Sequence, residues 1–197
     1  MFPRASFEPG IGRVFIGRSL LAAIGLAACL PGFAVAAPAV KEPAGYWMGP
    51  SHGPVATTLS GGTVIHTRKL AALLRSGAVL VVDVSDAPRR PANLAEGAVW
   101  LPLPHPVIPG GLWIPGAGQG AIAPAVEKLF RERLALGSGN DPAHSLVIYC
   151  HRNCWLSWNA AKRAISYGYT SVYWFPDGME GWRAAGLPTA VAEPLAP

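Results

Sequence analysis

The sequence predicts an α/β domain whose central sheet is mostly parallel and carries helices on both faces. Three observations lead there. "AVLVVDV" (78–84) and "SLVIYC" (145–150) are continuous apolar, β-branched runs, the composition of strands buried on both sides. Amphipathic helical segments closed by glycine lie beside them. Strand and helix then alternate through the second half of the chain.

A chain of 197 residues suffices for one domain with a full core. Apolar residues make up 51% and charged residues 14%, which excludes a disordered chain. The formal net charge is +5, and Arg4, Arg13 and Arg18 against Glu8 supply +2 of it. No basic cluster interleaved with aromatics occurs, so nucleic acid is not an expected partner.

Residues 1–36 read as a signal peptide. Arg13 and Arg18 precede the apolar run "SLLAAIGLAACL" (19–30), Pro31-Gly32 interrupts it, and "AVA" (34–36) offers a cleavage site after Ala36. The run is too short and too broken for a membrane span. A short anchor helix is one alternative. A lipoprotein box at "LAAC", acylated on Cys29, is another. Export to the periplasm is expected in each case, where thiols pair unless kept reduced. Residues 37–62, rich in Pro, Gly and Ala, read as an extended segment that Tyr46 and Trp47 pin to the domain.

The domain proper is expected over 63–190. A short β piece leads to a helix N-capped by Thr67, carrying Leu70, Leu73 and Leu74, and ended by Gly77. The strand 78–84 follows. "GAVWLPLP" (97–104) is a further strand candidate. Its near-copy "GGLWIP" (110–115) lies within the Pro/Gly-rich tract 105–120. Two short copies do not make a solenoid. "APAVEKLFRERLALG" (123–137) reads as a helix ended by Gly137. After strand 145–150 come a helix over 157–169 with Gly168 at its cap, a strand at "SVYWF" (171–175) and a short helix within 178–188.

The chemistry is expected in "YCHRNCW" (149–155), which holds Cys150 and Cys154. A structural metal needs four ligands, and one Cys-x-x-x-Cys with His105 and His144 unplaced does not supply them. No metal or cofactor is called for. Ligands in sheets of this class sit at strand carboxyl ends, where Cys150 stands. A loop between strand end and helix start offers unpaired N–H groups and a positive dipole, with His151 and Arg152 adding charge. Such settings lower a cysteine pKa to about 3.5–7.5, which marks Cys150 as reactive. An inert core cysteine and a Cys150–Cys154 disulfide remain the alternatives. Trp113, Trp155, Trp158 and Trp174 read as core, or else as an exposed patch.

"SLVIYC…SWNAAKRAISYGYTSVYWFPDGMEGWRAAGLP" resembles the C-terminal half of a rhodanese domain. "LVVDV" with Asp83 is similar to that family's first core strand, and 96–102 or 108–115 to the extended strand after it. The likeness spans residues 63–188 and implies a rhodanese-like single domain. More narrowly, Cys154-Trp155 resembles exported rhodanese-like proteins named for a Cys-x-x-Cys-Trp motif and associated with pyrroloquinoline-quinone-dependent (PQQ-dependent) alcohol catabolism, although here three residues separate the cysteines.

The resemblance implies sulfur transfer through a Cys150 persulfide, with Cys154 attacking the persulfide or protecting the thiol. Residues 151–155, named as His151, Arg152, Asn153 and Trp155 with Cys154, are expected to hold a small anionic sulfur donor such as thiosulfate. A periplasmic quinoprotein or cytochrome is the expected protein partner. Two departures stand out. Leu156 replaces the arginine that phosphatases of this fold need, which excludes phosphate transfer. Asp83-Val84-Ser85 lacks the family's Asp-x-Arg, so Asp83 reads as structural. The competing readings are a thiol–disulfide protein using Cys150 and Cys154, and a non-catalytic binding module.

Overall fold

Along β2 (Leu80–Asp83) and β5 (Leu146–Tyr149) the side chains alternate between two apolar layers. Val82, Leu146, Ile148 and Cys150 enter one layer. Val81, Val147 and Tyr149 enter the other. This computed structural model describes residues 40–77 and 79–197, so the readings placed on 1–36, including Cys29 and cleavage after Ala36, lie outside the described residues.

β1 (Thr63–Val64), β4 (Leu112–Trp113) and β6 (Val172–Phe175) complete a five-stranded sheet in the order β1-β6-β5-β2-β4, with every pairing parallel. The helices α2 (Pro124–Ser138) and α3 (Trp155–Ser166) cover one face through Leu129, Phe130, Leu134, Trp158 and Ala161. The helices α1 (Thr67–Ser76) and α4 (Gly178–Ala184) cover the other through Leu70, Met179 and Trp182. The expected fold class is therefore the observed one.

Four local expectations change. "GAVWLPLP" forms no strand. Pro102 and Pro104 have no N–H to give a ladder, and Val99, Leu101 and Leu103 are left 83%, 84% and 86% exposed. The second near-copy supplies the sheet strand instead, because Ile114 N–H reaches Asp83 O at 2.8 Å and Trp113 Nε1 reaches Ser85 O at 2.8 Å. Gly137 lies inside α2, where an added Cβ would stand 2.7 Å from Leu80. The turn out of that helix falls at Gly139, with φ at 65°. The helix after Cys154 starts at Trp155, two residues before the expected start. A small antiparallel pair, β3 (His105–Val107) with β7 (Ala190–Ala192), was not foreseen.

Thr67 does not cap α1. His66 occupies the cap position without using its side chain. The Asp177 carboxylate does the capping instead, accepting Thr67 N–H at 3.1 Å and Thr67 Oγ1–H at 3.2 Å and meeting His66 Nδ1 at 2.9 Å. Asp177→Ala is expected to cost about 1–2 kcal/mol, the usual loss for a helix cap. An unshifted urea midpoint would remove Asp177 from that role.

Residues 40–58 run as a strap over α3. Trp47 stacks on Trp155 with ring centroids 4.5 Å apart, and Tyr46 lies under the Arg163 guanidinium at 4.2 Å. Asn159 pairs with both main-chain groups of Trp47, at 2.7 and 3.0 Å. Lys162 donates to the carbonyls of Pro43 and Ala44, each at 3.0 Å. Among the described residues no helix is long and apolar enough to cross a membrane.

Candidate functional site

Cys150 follows β5 at the carboxyl edge of the sheet, and α3 begins five residues later. The loop turns through Asn153, at φ 54°, an angle asparagine tolerates better than most residues. Cys154 then takes an extended conformation and serves as the N-cap position of α3. Behind the loop sits Gly178, at φ 61°. A Cβ there would stand 2.4 Å from His151 C and 2.5 Å from Arg152 N, so only glycine lets α4 approach this closely. Met179 N–H then ties the elements together by donating to Cys150 O at 3.0 Å.

Both thiols are free and covered: Cys150 is 0% and Cys154 2% exposed. Cys150 Sγ lies 3.3 Å from Ser157 Oγ, 3.5 Å from His151 O and 3.7 Å from Cys154 O. Ser157 is itself held in place. Trp174 Nε1 donates to its oxygen at 3.0 Å, and its hydroxyl donates to Cys154 O at 3.2 Å. Ser157 was not among the expected site residues. Its one signal was a serine three residues past Cys154 on an otherwise tryptophan- and alanine-rich face.

The electrostatics divide the pair in the opposite sense to the expectation. Burial pushes the Cys150 thiol well up, and the neighbouring Cys154 thiol adds to the shift. Cys154 is pulled down by the neighbouring Cys150 thiol, with help from the N–H of Leu156 and from His151, against its own burial. The helix start thus favours a thiolate on Cys154, and buried Cys150 keeps its proton.

The loop N–H groups are only partly open to an anion. Glu180 accepts Arg152 N–H at 2.7 Å and meets His151 Nδ1 at 2.8 Å. Partial burial acts to raise the Glu180 pKa, but these contacts outweigh it and the net shift is downward. Trp155 N–H donates to Ser51 O at 2.8 Å, and Gly53 N–H to Asn153 O at 3.0 Å. The strap therefore crosses the loop as an antiparallel bridge of His52 with Cys154. The side chains of Arg152 and Asn153 are exposed at the loop mouth. Trp155 is not there. Its ring lies buried under Trp47, with its indole N–H on Pro54 O at 3.1 Å.

The four tryptophans that might have made a surface patch are 4% exposed or less. They fill the core, so they offer no docking face. Asp83 points into the layer opposite Cys150, accepting Ser85 N–H at 2.8 Å and meeting His105 Nε2 at 2.9 Å. His105 in turn stacks on Trp113 at 3.7 Å. Asp83 thus acts as a structural carboxylate on the β3 side of the sheet.

A family profile for the rhodanese-like domain matches residues 66–185. The chain belongs to the rhodanese-like domain family. Its sheet, its four helices and the cysteine at the end of β5 constitute a rhodanese-like sulfurtransferase fold. No curated protein matches the chain. Solved structures of similar fold include the polysulfide-sulfur transferase homodimer of Wolinella succinogenes, at 20% identity, covering 66% of this chain and 80% of that one with a TM-score of 0.43. A thiosulfate sulfurtransferase from Pseudomonas aeruginosa matches at 19% identity and a TM-score of 0.47, over 68% of this chain and 21% of that chain. A human single-domain sulfurtransferase matches at 23% identity and a TM-score of 0.38, over 61% and 95%.

Proposed function

We propose that this rhodanese-like protein carries sulfane sulfur on Cys150 and uses Cys154 as the base that frees it. The observation behind this is the placing of the two cysteines on one loop: Cys150 follows β5 with its Sγ 3.7 Å from Cys154 O, and Cys154 stands at the N-cap position of α3. Cys150 attacks the outer sulfur of thiosulfate, and its proton passes to the Cys154 thiolate. The S–S bond of the donor breaks, sulfite leaves, and a Cys150 persulfide remains. A nucleophilic acceptor such as cyanide then takes the terminal sulfur, and Cys150 recovers its proton from Cys154. Ser157 Oγ, 3.3 Å from Cys150 Sγ, can turn its hydroxyl toward the sulfur when the thiol is ionised. The donor must reach the loop past Glu180, and the loop itself carries the exposed Arg152 side chain.

The test is incubation with thiosulfate, followed by mass spectrometry and then cyanide. A cyanide-removable gain of one sulfur on the Cys150 peptide is expected, and its absence would end the proposal. A dithiol–disulfide role is the second reading, favoured by the contact between the two thiols and by the lowered pKa of Cys154. Export to the periplasm, with or without acylation of Cys29, and a place beside PQQ-dependent dehydrogenases remain part of this proposal. They rest on the pattern of residues 1–36 and on the Cys154-Trp155 motif.

A further inference from the structure

The strap is bound to the cysteine loop in a specific way. Trp155 N–H donates to Ser51 O and Gly53 N–H donates to Asn153 O, which makes His52 and Cys154 a non-hydrogen-bonded antiparallel pair. Cα atoms of such pairs stand about 4.5 Å apart, inside the span of roughly 4.4–6.8 Å that a disulfide bridges. A cysteine at the place of His52 is therefore within bonding reach of Cys154.

The strap holds this place through its backbone alone. His52 is exposed, and its ring lies beside the His151 ring, at 6.1 Å between centroids. Both bonds at the crossing are main-chain bonds, which any extended chain can make. The side-chain anchors of the strap lie on either side of this crossing, at Trp47, Pro43, Ala44 and Pro54. Glu180 places a carboxylate at the loop mouth, which leaves a neutral extended chain unaffected.

We propose that strap residues 51–53 hold the place of an extended segment of a partner protein, which pairs with Asn153 and Trp155 and presents its own cysteine to Cys154. This rests on the reading of Cys150 and Cys154 as a reactive pair and names its substrate class: a cysteine or disulfide carried on an extended protein segment. With a disulfide-bearing segment, the Cys154 thiolate attacks the segment's sulfur and the departing half leaves as a thiolate. Cys150 then attacks the Cys154 sulfur and forms the Cys150–Cys154 disulfide. The segment leaves as a thiolate and takes the Cys150 proton. Two electrons pass from the protein's thiols to the segment's disulfide, and no further oxidant is needed.

The test uses the full chain carrying Cys29→Ser, with and without Gly53→Pro. Proline at 53 removes the N–H bonded to Asn153 O and cannot adopt the φ of 144° found there, while a Cβ meets nothing within 4 Å. The probes are two peptides, acetyl-Pro-Ser-Cys-Gly-Pro-amide and acetyl-Pro-Ser-Cys-Pro-Pro-amide, each with 5-thio-2-nitrobenzoate on its cysteine. Release of thionitrobenzoate is followed, and each rate is divided by that of the same peptide with glutathione. Gly53→Pro is expected to speed the glycine peptide about tenfold by freeing the edge. On either protein the proline peptide is expected to react roughly 3- to 10-fold slower, because it lacks one main-chain donor. Equal normalised rates for the two peptides on both proteins would overturn the docking edge, and a cyanide-removable sulfur on Cys150 would still stand. If Cys154 also fails to react with free dithionitrobenzoate in Gly53→Pro, the reactive pair itself falls with the docking edge.

Discussion

Cys150→Ser is expected to abolish persulfide formation and to lower thiocyanate production from thiosulfate and cyanide by at least about 10³-fold, the scale on which enzymes lose a nucleophile. The serine hydroxyl still fits among His151 O, Cys154 O and Ser157 Oγ, so the fold should survive. Urea unfolding of the same variant separates the two effects. Cys154→Ser is expected to behave differently. It removes a base rather than the sulfur carrier, and general bases contribute about 10²–10⁴-fold. Its pH profile carries the sign. In the parent protein the rate rises as pH passes the depressed pKa of Cys154, whereas in Cys154→Ser it rises only as pH approaches the elevated pKa of Cys150. An unshifted profile would remove Cys154 from proton transfer.

Gly178→Ala is expected to be the most damaging small substitution near the loop. At φ 61° an alanine pays the left-handed penalty of about 1–2 kcal/mol. Its Cβ would also press on His151 C at 2.4 Å, Arg152 N at 2.5 Å and Cys150 O at 2.6 Å. These are backbone atoms fixed by β5 and by Met179 N–H, and overpacking of this kind adds about 1–3 kcal/mol. Gly186→Ala is the control. Its φ is 67° with nothing within 4 Å, so it should lose only the conformational part. Urea midpoints for the two variants, with the alkylation rate of Cys154 beside them, measure both effects. Equal losses would mean that the loop yields easily to α4.

The strands and helices were legible because their signals are local. "LVVD" and "LVIY" are β-branched and apolar through, and Gly77 ends its helix by taking a left-handed turn. The place of Cys150 was legible for the same reason, as a strand-end residue before a helix. What was hidden depends on residues far apart in the chain. Asp177 caps a helix whose start lies 110 residues earlier. Glu180 occupies N–H groups of a loop 28 residues before it. Neither carboxylate carries a mark of this in its neighbours. The choice between the two near-copies at 97–102 and 110–115 was also non-local, since it turns on which one finds a free edge of β2. The polarity of the two thiols escaped because it depends on which sulfur the helix N–H groups face.

The strap has a consequence for the order in which the chain is made. Its partners on α3 lie 100 residues or more downstream: Trp155 Nε1 to Pro54 O spans 101 residues and Asn159 to Trp47 spans 112. Closing a loop of that length is slow compared with forming α3 or the β5–α3 turn. The strap is synthesised before α3 and can be seated only once α3 has formed. During that interval Cys154 stands without the His52 crossing. The oxidation state and the cargo of the pair are most easily set then, so assembly in a reducing or an oxidising compartment should yield chemically different proteins from one sequence.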